Sequence, residues 1–254
     1  MYEPNVAQIL KRLKPSDVVL DVGGWACPFN RANYVLDVEP YETRGYYHRT
    51  SARPAAQGGD REYFTPATWI TRDICDRAPY PFADKSIDFV VCSHTLEDVR
   101  DPLWVCAEMM RIGKRGYAEV PSRAAESSRG WEHPRLAGLS HHRWLIDIDG
   151  SHIRFLMKYH RIHSHWRLSL PAAWLARLPE VDRVQWLFWE DAFTVEETRI
   201  HGSTNMDAEL ERFVRSVRPY PRWRLEADAA WRRGRALSRR AWRAARGAPK
   251  PGRS

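Results

Sequence analysis

The feature that most constrains the fold is a series of five short apolar runs, separated by loops or amphipathic segments. Runs this short and this uniformly apolar are typical of strands buried on both faces of a parallel sheet. Strands that alternate with helical or loop connections predict an α/β fold with right-handed crossovers. The predicted strands are Val18–Val22, Tyr34–Val38, Trp69–Ile74, Phe89–Cys92 and Tyr117–Val120.

Two segments have the apolar spacing of one helical face, and we predict helices at Asn5–Leu13 and Pro102–Arg111. The second half of the chain has a different pattern. Two β-type runs flank Asp149-Gly150, a dipeptide that favours a two-residue hairpin turn. The string VQWLFWEDAF predicts one more strand.

Small or polar residues stand where the predicted strands end. In open parallel sheets, ligands bind beyond the carboxyl ends of the strands. We therefore expect a ligand site formed by the residues at these ends, which are Asp21, Gly23, Asp37, Asp73, Ser93 and His94.

Four strings occur in the same order as the motifs of a known family. They are DVGG, YVLD, RDICDRAPYPFADKSIDFVVCSHTLEDVRDP and RIGKRGYAEVPSR. Together they resemble the class I S-adenosylmethionine-dependent methyltransferases, over about residues 15–123. The likeness is strongest to small methyltransferase-domain proteins of surface-glycan and secondary metabolism. It implies a Rossmann-like, doubly wound, mostly parallel seven-stranded sheet with helices on both faces, and S-adenosyl-L-methionine as cofactor.

The resemblance also implies roles for residues after the first two strands. Gly23 and Gly24 resemble the residues that let the backbone lie close to the amino-acid part of the cofactor. Asp21 resembles the acid that orients the cofactor's ammonium group. Asp37 resembles the acid that accepts hydrogen bonds from the ribose hydroxyls.

Three further residues have counterparts in the family. Asp73 resembles the residue that accepts from the adenine amino group, and Ile74 its neighbour that packs on the ring. Ser93 stands where donor and acceptor usually meet. These residues complete the cofactor-binding set that the resemblance implies.

The glycine loop departs from the family pattern, because Trp25 and Cys27 occupy the places of its second and third glycines. Gly24 comes one place early, and Pro28 fixes its own φ near −65°. We expect a loop of different shape that still binds the cofactor. The alternative is a chain that kept the fold and lost the donor site.

Four histidines could serve as the general base that removes a proton from the acceptor: His94, His141, His142 and His152. We predict the first three as catalytic residues. The pair lies in GLSHHRW, where family members build the acceptor pocket. The competing interpretation is that the pair only hydrogen-bonds the hairpin. The histidines of YHRIHSHW have no acid or cysteine partner and no familiar ligand spacing, so we expect no metal there or elsewhere.

The basic charge is concentrated at the C-terminus. From Arg222 onward there are ten Arg and one Lys against two acids, whereas the preceding body is nearly neutral. On a helix, Trp223–Arg246 has an apolar, Trp-containing face opposite its arginines. This tail can dock on the body, contact a membrane surface or bind RNA. The neutral body argues against a nucleic-acid partner.

No apolar run reaches the roughly 20 residues of a membrane-spanning helix, and the N-terminus lacks a signal pattern. We expect a cytoplasmic protein, or one peripheral to the inner face of the membrane through its tail. The predicted domains are a cofactor-binding core (1–123), an acceptor-site region (124–200) and a basic helical tail (201–254).

The predicted function is methyl transfer to a small-molecule or glycan-intermediate acceptor, with oxygen favoured over nitrogen. The alternatives are a catalytically inactive scaffold subunit and an RNA methyltransferase that uses the tail. The sequence leaves open the identity of the acceptor and the oligomeric state.

Overall fold

A computed structural model describes residues 1–46 and 57–217 of the chain. Its main sheet has six strands in the order β3-β2-β1-β4-β5-β8. The first five are mutually parallel, and β8 runs antiparallel to β5 at the edge. Their bounds are β1 Val19–Val22, β2 Tyr34–Asp37, β3 Trp69–Thr71, β4 Phe89–Ser93, β5 Arg115–Pro121 and β8 Val184–Glu190.

The described helices confirm both predicted helical segments. The first two are α1 (Glu3–Arg12) and α2 (Pro102–Ile112). At the start of α2, the Asp101 carboxylate accepts a hydrogen bond from the Trp104 N–H at 3.1 Å, which satisfies one of the unpaired donors of the first turn. The remaining helices are α3 (Arg123–Glu126), α4 (Arg161–Ser164), α5 (Ala172–Leu175) and α6 (Ser203–Val217).

The main sheet is covered on both faces, because successive side chains of a strand point to opposite sides. Val19, Val35 and Val91 pack with Val6 and Ile9 of α1 in one buried cluster. The intervening residues pack with α2 in a second cluster, whose members include Leu20, Leu36, Val90, Cys92, Val105 and Met109. A doubly wound α/β architecture is therefore confirmed.

The prediction of seven strands in one sheet is not confirmed: among the described residues the main sheet has six strands, and three others form a separate sheet of order β6-β7-β9. These are β6 (Trp144–Asp149), β7 (His152–Met157) and β9 (Thr194–Thr198). The predicted hairpin at Asp149-Gly150 is confirmed, with β6 and β7 antiparallel. β9 then pairs with β7 in parallel and does not extend the main sheet.

The physical reason is that the hairpin is apolar on both of its faces. Ile146 and Phe155 pack into the cluster that contains α2. Leu145 and Leu156 instead pack with residues of α6, including Leu210, in a third cluster. A strand pair that must be covered on both sides forms a layer of its own between these two clusters.

The connection between β1 and β2, residues 23–33, contains turns and bends and no helix. Parallel neighbours are usually joined through a helix, in a connection of a dozen or more residues. In this connection, side-chain acceptors bind backbone N–H groups instead. The Val19 N–H donates to Asn33 Oδ1 at 2.9 Å, and the Phe29 N–H donates to Asp21. This short loop is the part of the fold that borders the candidate site.

The predicted basic tail is described only as far as α6. The Trp- and Arg-rich segment 223–246 lies outside the described residues, so its role stays a prediction. Within residues 1–46 and 57–217, no helix combines the length and the apolarity that a membrane span needs.

Candidate functional site

The strand order places a crevice at the carboxyl ends of β1 and β4. Strands β2 and β3 lie on one side of β1, and β4, which follows them in the chain, lies on the other side of β1. In open α/β sheets, ligands bind at such a reversal point. Gly23 follows β1 there, and Ser93 and His94 end β4, so three of the predicted site residues lie at this point.

Gly23 and Gly24 are both required by the protein's own packing. Gly23 has a φ of +77°, and a Cβ on it would lie 2.2 Å from the Thr95 side chain. A Cβ on Gly24 would lie 2.2 Å from Asp21 Oδ2. The two glycines therefore let the loop lie directly against β4 and against the Asp21 carboxylate.

The two predicted acids hold the β1–β2 loop from either side. Asp21 Oδ2 accepts from the Phe29 N–H at 2.8 Å. Asp37 Oδ2 accepts from the Trp25 N–H at 3.0 Å, and its Oδ1 accepts from the Glu39 N–H at 2.9 Å. Both side chains are buried. Each carboxylate oxygen still has a second lone pair with which it can accept from a ligand.

Burial makes both carboxyls easier to protonate. The pKa of Asp21 is raised to about 7, mainly because burial penalises the charged form, and the Asp37 charge adds to this. Burial also raises the pKa of Asp37, against the hydrogen bonds from the Glu39 and Trp25 N–H groups. A cation placed between them would lower both pKa values again.

Trp25 ties the glycine loop to the segment that follows β2. Its indole Nε1–H donates to the Thr43 carbonyl and hydroxyl oxygens, each at 3.0 Å. Its ring lies 5.2 Å from the ring of Tyr46. The side chain thus links the loop, whose Trp25 N–H meets Asp37, to the segment after β2, a contact that glycine at this place could not make.

Asp73 and Ile74 lie farther along the same edge, after β3. The Asp73 carboxylate pairs with Arg100 and accepts from the Cys75 N–H at 2.8 Å. Burial raises the pKa of Asp73, but the hydrogen bonds from Arg100 and the Cys75 N–H, together with the nearby arginine charges, lower it overall. Ile74 is buried in the main core cluster. Their predicted adenine-binding roles stay predictions.

His94 lies between two carboxylates at the end of β4. Its Nε2 is 3.0 Å from Glu119 Oε1, and its Nδ1 is 3.4 Å from Glu97 Oε1. Glu119 is fully buried on β5 and also accepts from the Tyr2 N–H and the Tyr117 hydroxyl. The His94 backbone has a φ of +54°. A non-glycine residue in this region costs about 1–3 kcal/mol, and such strain is concentrated at functional sites.

The two carboxylates decide the charge of His94. Burial alone would lower the pKa of His94, but the bond to Glu119 and the nearby negative charge of Glu97 raise it to about 9. Burial would raise the pKa of Glu119, but His94 lowers it to about 2. His94 and Glu119 therefore form an ion pair at neutral pH, in which His94 carries a proton and cannot accept another.

His141 and His142 meet the same loop from the other side. His142 Nε2 is 3.7 Å from Asp98 Oδ1, and His141 Nε2 is 4.0 Å from that atom. His142 Nδ1 is 2.8 Å from Glu126 Oε2. Since Asp98 directly follows Glu97, the structure brings all three predicted catalytic histidines to the loop after β4.

Buried carboxylate oxygens without a hydrogen bond remain in this loop. Among the described residues, neither oxygen of Glu97 has a hydrogen-bond partner, nor does Asp98 Oδ1. A buried polar atom without a partner is costly to leave unpaired. The loop after β4 therefore suits a cationic or hydrogen-bond-donating ligand.

The prediction of site residues from the sequence did not include Glu97, Asp98, Glu119 and Glu126. Two signals were present. Glu97 and Asp98 stand within the quoted string SHTLED, and Glu119 interrupts the apolar run of β5. An acid inside a buried strand needs a charged or donating partner, which here is His94.

Comparison with known proteins confirms the predicted domain type. A family model described as a methyltransferase domain matches residues 35–117, which is less than half of the chain. The match includes Asp37, Asp73, Ser93 and His94, and it supports the resemblance to the class I S-adenosylmethionine-dependent methyltransferases. No curated protein matches the chain at a significant level.

Solved structures of S-adenosylmethionine-dependent methyltransferases are also similar, at low identity. The Methanosarcina mazei protein is 16% identical, with a TM-score of 0.35 and coverage of 56% of this chain and 85% of that one. The Aquifex aeolicus protein is 16% identical, with a TM-score of 0.30 and coverage of 47% and 65%. The chain spans between half and two thirds of the first solved structures that it matches. Structural similarity at these TM-scores does not identify the activity of this chain.

We predict that His94 has a pKa of about 9 when the NMR chemical shifts of its imidazole ring are followed against pH. Because this pKa is raised above the unfolded value of about 6.5, the stabilisation by the ion pair is complete below pH 6.5 and is lost as the pH rises through 9. The groups that face His94 and its partner are Glu97, Glu119, the Tyr117 hydroxyl and the amino group of Met1.

Glu119→Gln should bring the His94 pKa down toward 6.5 or below, because it removes the charge and keeps the shape. The exposed Glu190→Gln is the matched control and should leave the titration unchanged. A wild-type His94 that titrates at or below 6.5 would contradict the ion pair.

Proposed function

We propose that this protein transfers a methyl group from S-adenosyl-L-methionine to a hydroxyl oxygen of a small-molecule or glycan-intermediate acceptor. The observation that carries the proposal is the reversal of strand order between β1 and β4, where Gly23 packs against Thr95, the neighbour of His94. The methyltransferase-domain match, which begins in β2 and ends in β5, supports it.

The residues around the crevice fit the chemical character of the donor. S-adenosyl-L-methionine supplies a methyl group on a cationic sulfonium, and it also carries an ammonium group. The crevice edge has the carboxyls of Asp21, Asp37, Glu97 and Glu119 against one imidazolium, His94. Asp37 would accept from the ribose hydroxyls, and the oxygens of Glu97, which have no hydrogen bond among the described residues, would face the cationic part.

The main task of the chain in methyl transfer is to hold donor and acceptor in line. The loops at the crevice are well fixed for this task. Thr95 Oγ1 donates to the Gly23 carbonyl oxygen at 3.2 Å, which joins the loop after β4 to the glycine loop. The ion pair of His94 with Glu119 fixes the end of β4 to β5.

The proton of a hydroxyl acceptor has to leave during the reaction. His94 is protonated at neutral pH, so it serves as a positioning group and a hydrogen-bond donor. We assign proton removal to the cluster of Asp98, His141 and His142, which lies beside Glu97. His141 is exposed over more than half of its side chain and can reach an acceptor bound above the loop.

One observation favours a second candidate, the non-catalytic scaffold. Both oxygens of Asp37 already accept backbone N–H groups, and Trp25 covers this end of the loop. Access of a ribose to Asp37 then requires the contact between Trp25 and Thr43 to open. Binding of the cofactor product distinguishes the two candidates.

We expect S-adenosylhomocysteine to bind the wild-type chain with a micromolar dissociation constant in calorimetric titration. Asp37→Asn should weaken binding by about tenfold or more, because a hydrogen bond to a charged group contributes about 1.5–3 kcal/mol. The matched control is Asp76→Asn, at an exposed acid after β3, and it should bind like the wild type. Absence of wild-type binding at high micromolar concentration would favour the scaffold.

We predict that His141→Ala lowers kcat by roughly a hundredfold or more, the usual contribution of a positioned proton acceptor. The assay is methyl transfer to a panel of hydroxyl acceptors, followed by mass spectrometry of the product. Affinity for S-adenosylhomocysteine should be unchanged, because His141 lies on the acceptor side. The exposed His201→Ala is the control. Unaltered turnover in both His141→Ala and His142→Ala would remove this cluster from the reaction.

A further inference from the structure

We propose that Asp98, His141 and His142 form a binding site for one divalent first-row transition-metal ion. The three ligand atoms are Asp98 Oδ1 and an imidazole nitrogen from each histidine, and all lie within 4.8 Å of one another. Within the part of the chain that the structure describes, this is the one such group of three. The site uses the same three side chains to which we assign proton removal, but metal binding is measured without methyl transfer, so its failure and that of the proposed function are distinguishable.

The spacing of these three ligand atoms fits a bound ion better than direct hydrogen bonds. The distances from Asp98 Oδ1 to the two Nε2 atoms, 3.7 Å and 4.0 Å, are too long for hydrogen bonds. Asp98 Oδ1 is nevertheless buried and has no hydrogen-bond partner among the described residues. An ion bound between the three groups would satisfy a buried carboxylate oxygen that, in the described part of the chain, has only these two distant histidine nitrogens near it and no hydrogen bond.

The metal–ligand geometry is within reach of small side-chain movements. Two ligands that each lie about 2.1 Å from a tetrahedral ion are about 3.4 Å apart. His142 and Asp98 Oδ1 are already close to that separation. His141 is more than half exposed and can rotate inward to complete the set, whereas His142 is buried and fixed.

A hydrogen bond on the far side of the His142 ring independently favours metal binding. Its Nδ1 lies 2.8 Å from Glu126 Oε2, which leaves Nε2 directed toward Asp98. Glu126 and Lys158 are buried and form an ion pair, and Glu126 also accepts from the Leu139 N–H at 3.2 Å. A carboxylate that orients a histidine in this way is the usual outer partner of a metal-binding imidazole.

The ligand set points to a class of ion. Two imidazoles and one carboxylate suit Zn²⁺, Fe²⁺, Co²⁺ or Ni²⁺, whereas Mg²⁺ and Ca²⁺ prefer sites built of oxygen. Three protein ligands leave coordination positions open toward the exposed side of His141.

This site revises our expectation, from the sequence, that the protein holds no metal. That expectation rested on the string YHRIHSHW, and its histidines have other roles. His163 Nδ1 and His165 Nδ1 accept the N–H groups of Ala137 and Arg167. Asp98 and the histidine pair are far apart in the sequence and have no ligand spacing that a motif could reveal.

The test uses the full chain, stripped with a chelator and desalted, and titrated with Zn²⁺ in a calorimeter. We expect one equivalent of Zn²⁺ to bind with a dissociation constant in the micromolar range or below. His141→Ala and Asp98→Asn should each weaken binding at least tenfold. Glu126→Gln should weaken it roughly tenfold to a hundredfold, the usual effect of losing an outer partner. The exposed His201→Ala is the matched control and should bind like the wild type.

Substitution with Co²⁺ gives a second readout. The wild type should show visible d–d absorption bands that His141→Ala lacks. Because His141 is an exposed side chain, this variant should fold, and thermal unfolding checks that it does. No saturable Zn²⁺ binding, or equal binding by His141→Ala and His201→Ala, would overturn the site. Binding of S-adenosylhomocysteine by the same samples reports on the proposed function separately.

Discussion

The geometry of the candidate site depends on two buried carboxylates that accept backbone N–H groups of the short loop between β1 and β2. Between β1 and β2 the chain has no helix, and Asp21 and Asp37 hold the loop by accepting the N–H groups of Phe29 and Trp25. Unpaired N–H groups in a buried loop would be costly, so these hydrogen bonds are what allow the strands to be joined so tightly. They fix the glycine turn against β4 and thereby define the crevice at the reversal of strand order.

A second group of acids, Glu97, Asp98 and Glu119, lies on the other side of the crevice. These carboxylates lie next to charged or donating side chains, whereas Asp21 and Asp37 bind backbone N–H groups. Glu119, fully buried on β5, holds His94 as an imidazolium in a strained backbone conformation at the end of β4. Glu97 and Asp98 retain buried oxygens without hydrogen bonds among the described residues. Asp21 and Asp37 thus stabilise the fold, whereas Glu97 and Asp98 still have oxygens that can accept hydrogen bonds from a ligand. A methyl donor that is itself a cation matches this distribution of charge.

The sequence predicts the parts of this structure that depend on local pattern. The five parallel strands, α1, α2 and the hairpin at Asp149-Gly150 follow from apolar spacing and turn chemistry. The second sheet does not, because the pairing of β9 with β7 is decided by which clusters cover the hairpin. Likewise, His94, His141 and His142 are candidates from the sequence, whereas their acidic partners come together only in the folded chain. The same holds for Trp25. The sequence shows that it stands at a glycine position of the motif, but it does not show the hydrogen bond from its indole to Thr43.

The most direct test of the account is a crystal structure of the protein grown with saturating S-adenosylhomocysteine. We expect electron density between the glycine loop and the loop after β4. The ribose should lie at Asp37, the thioether sulfur should face His94 and Glu97, and the contact between Trp25 and Thr43 should be open. Density at another place on the chain, or a crevice that stays closed at saturating ligand, would contradict it.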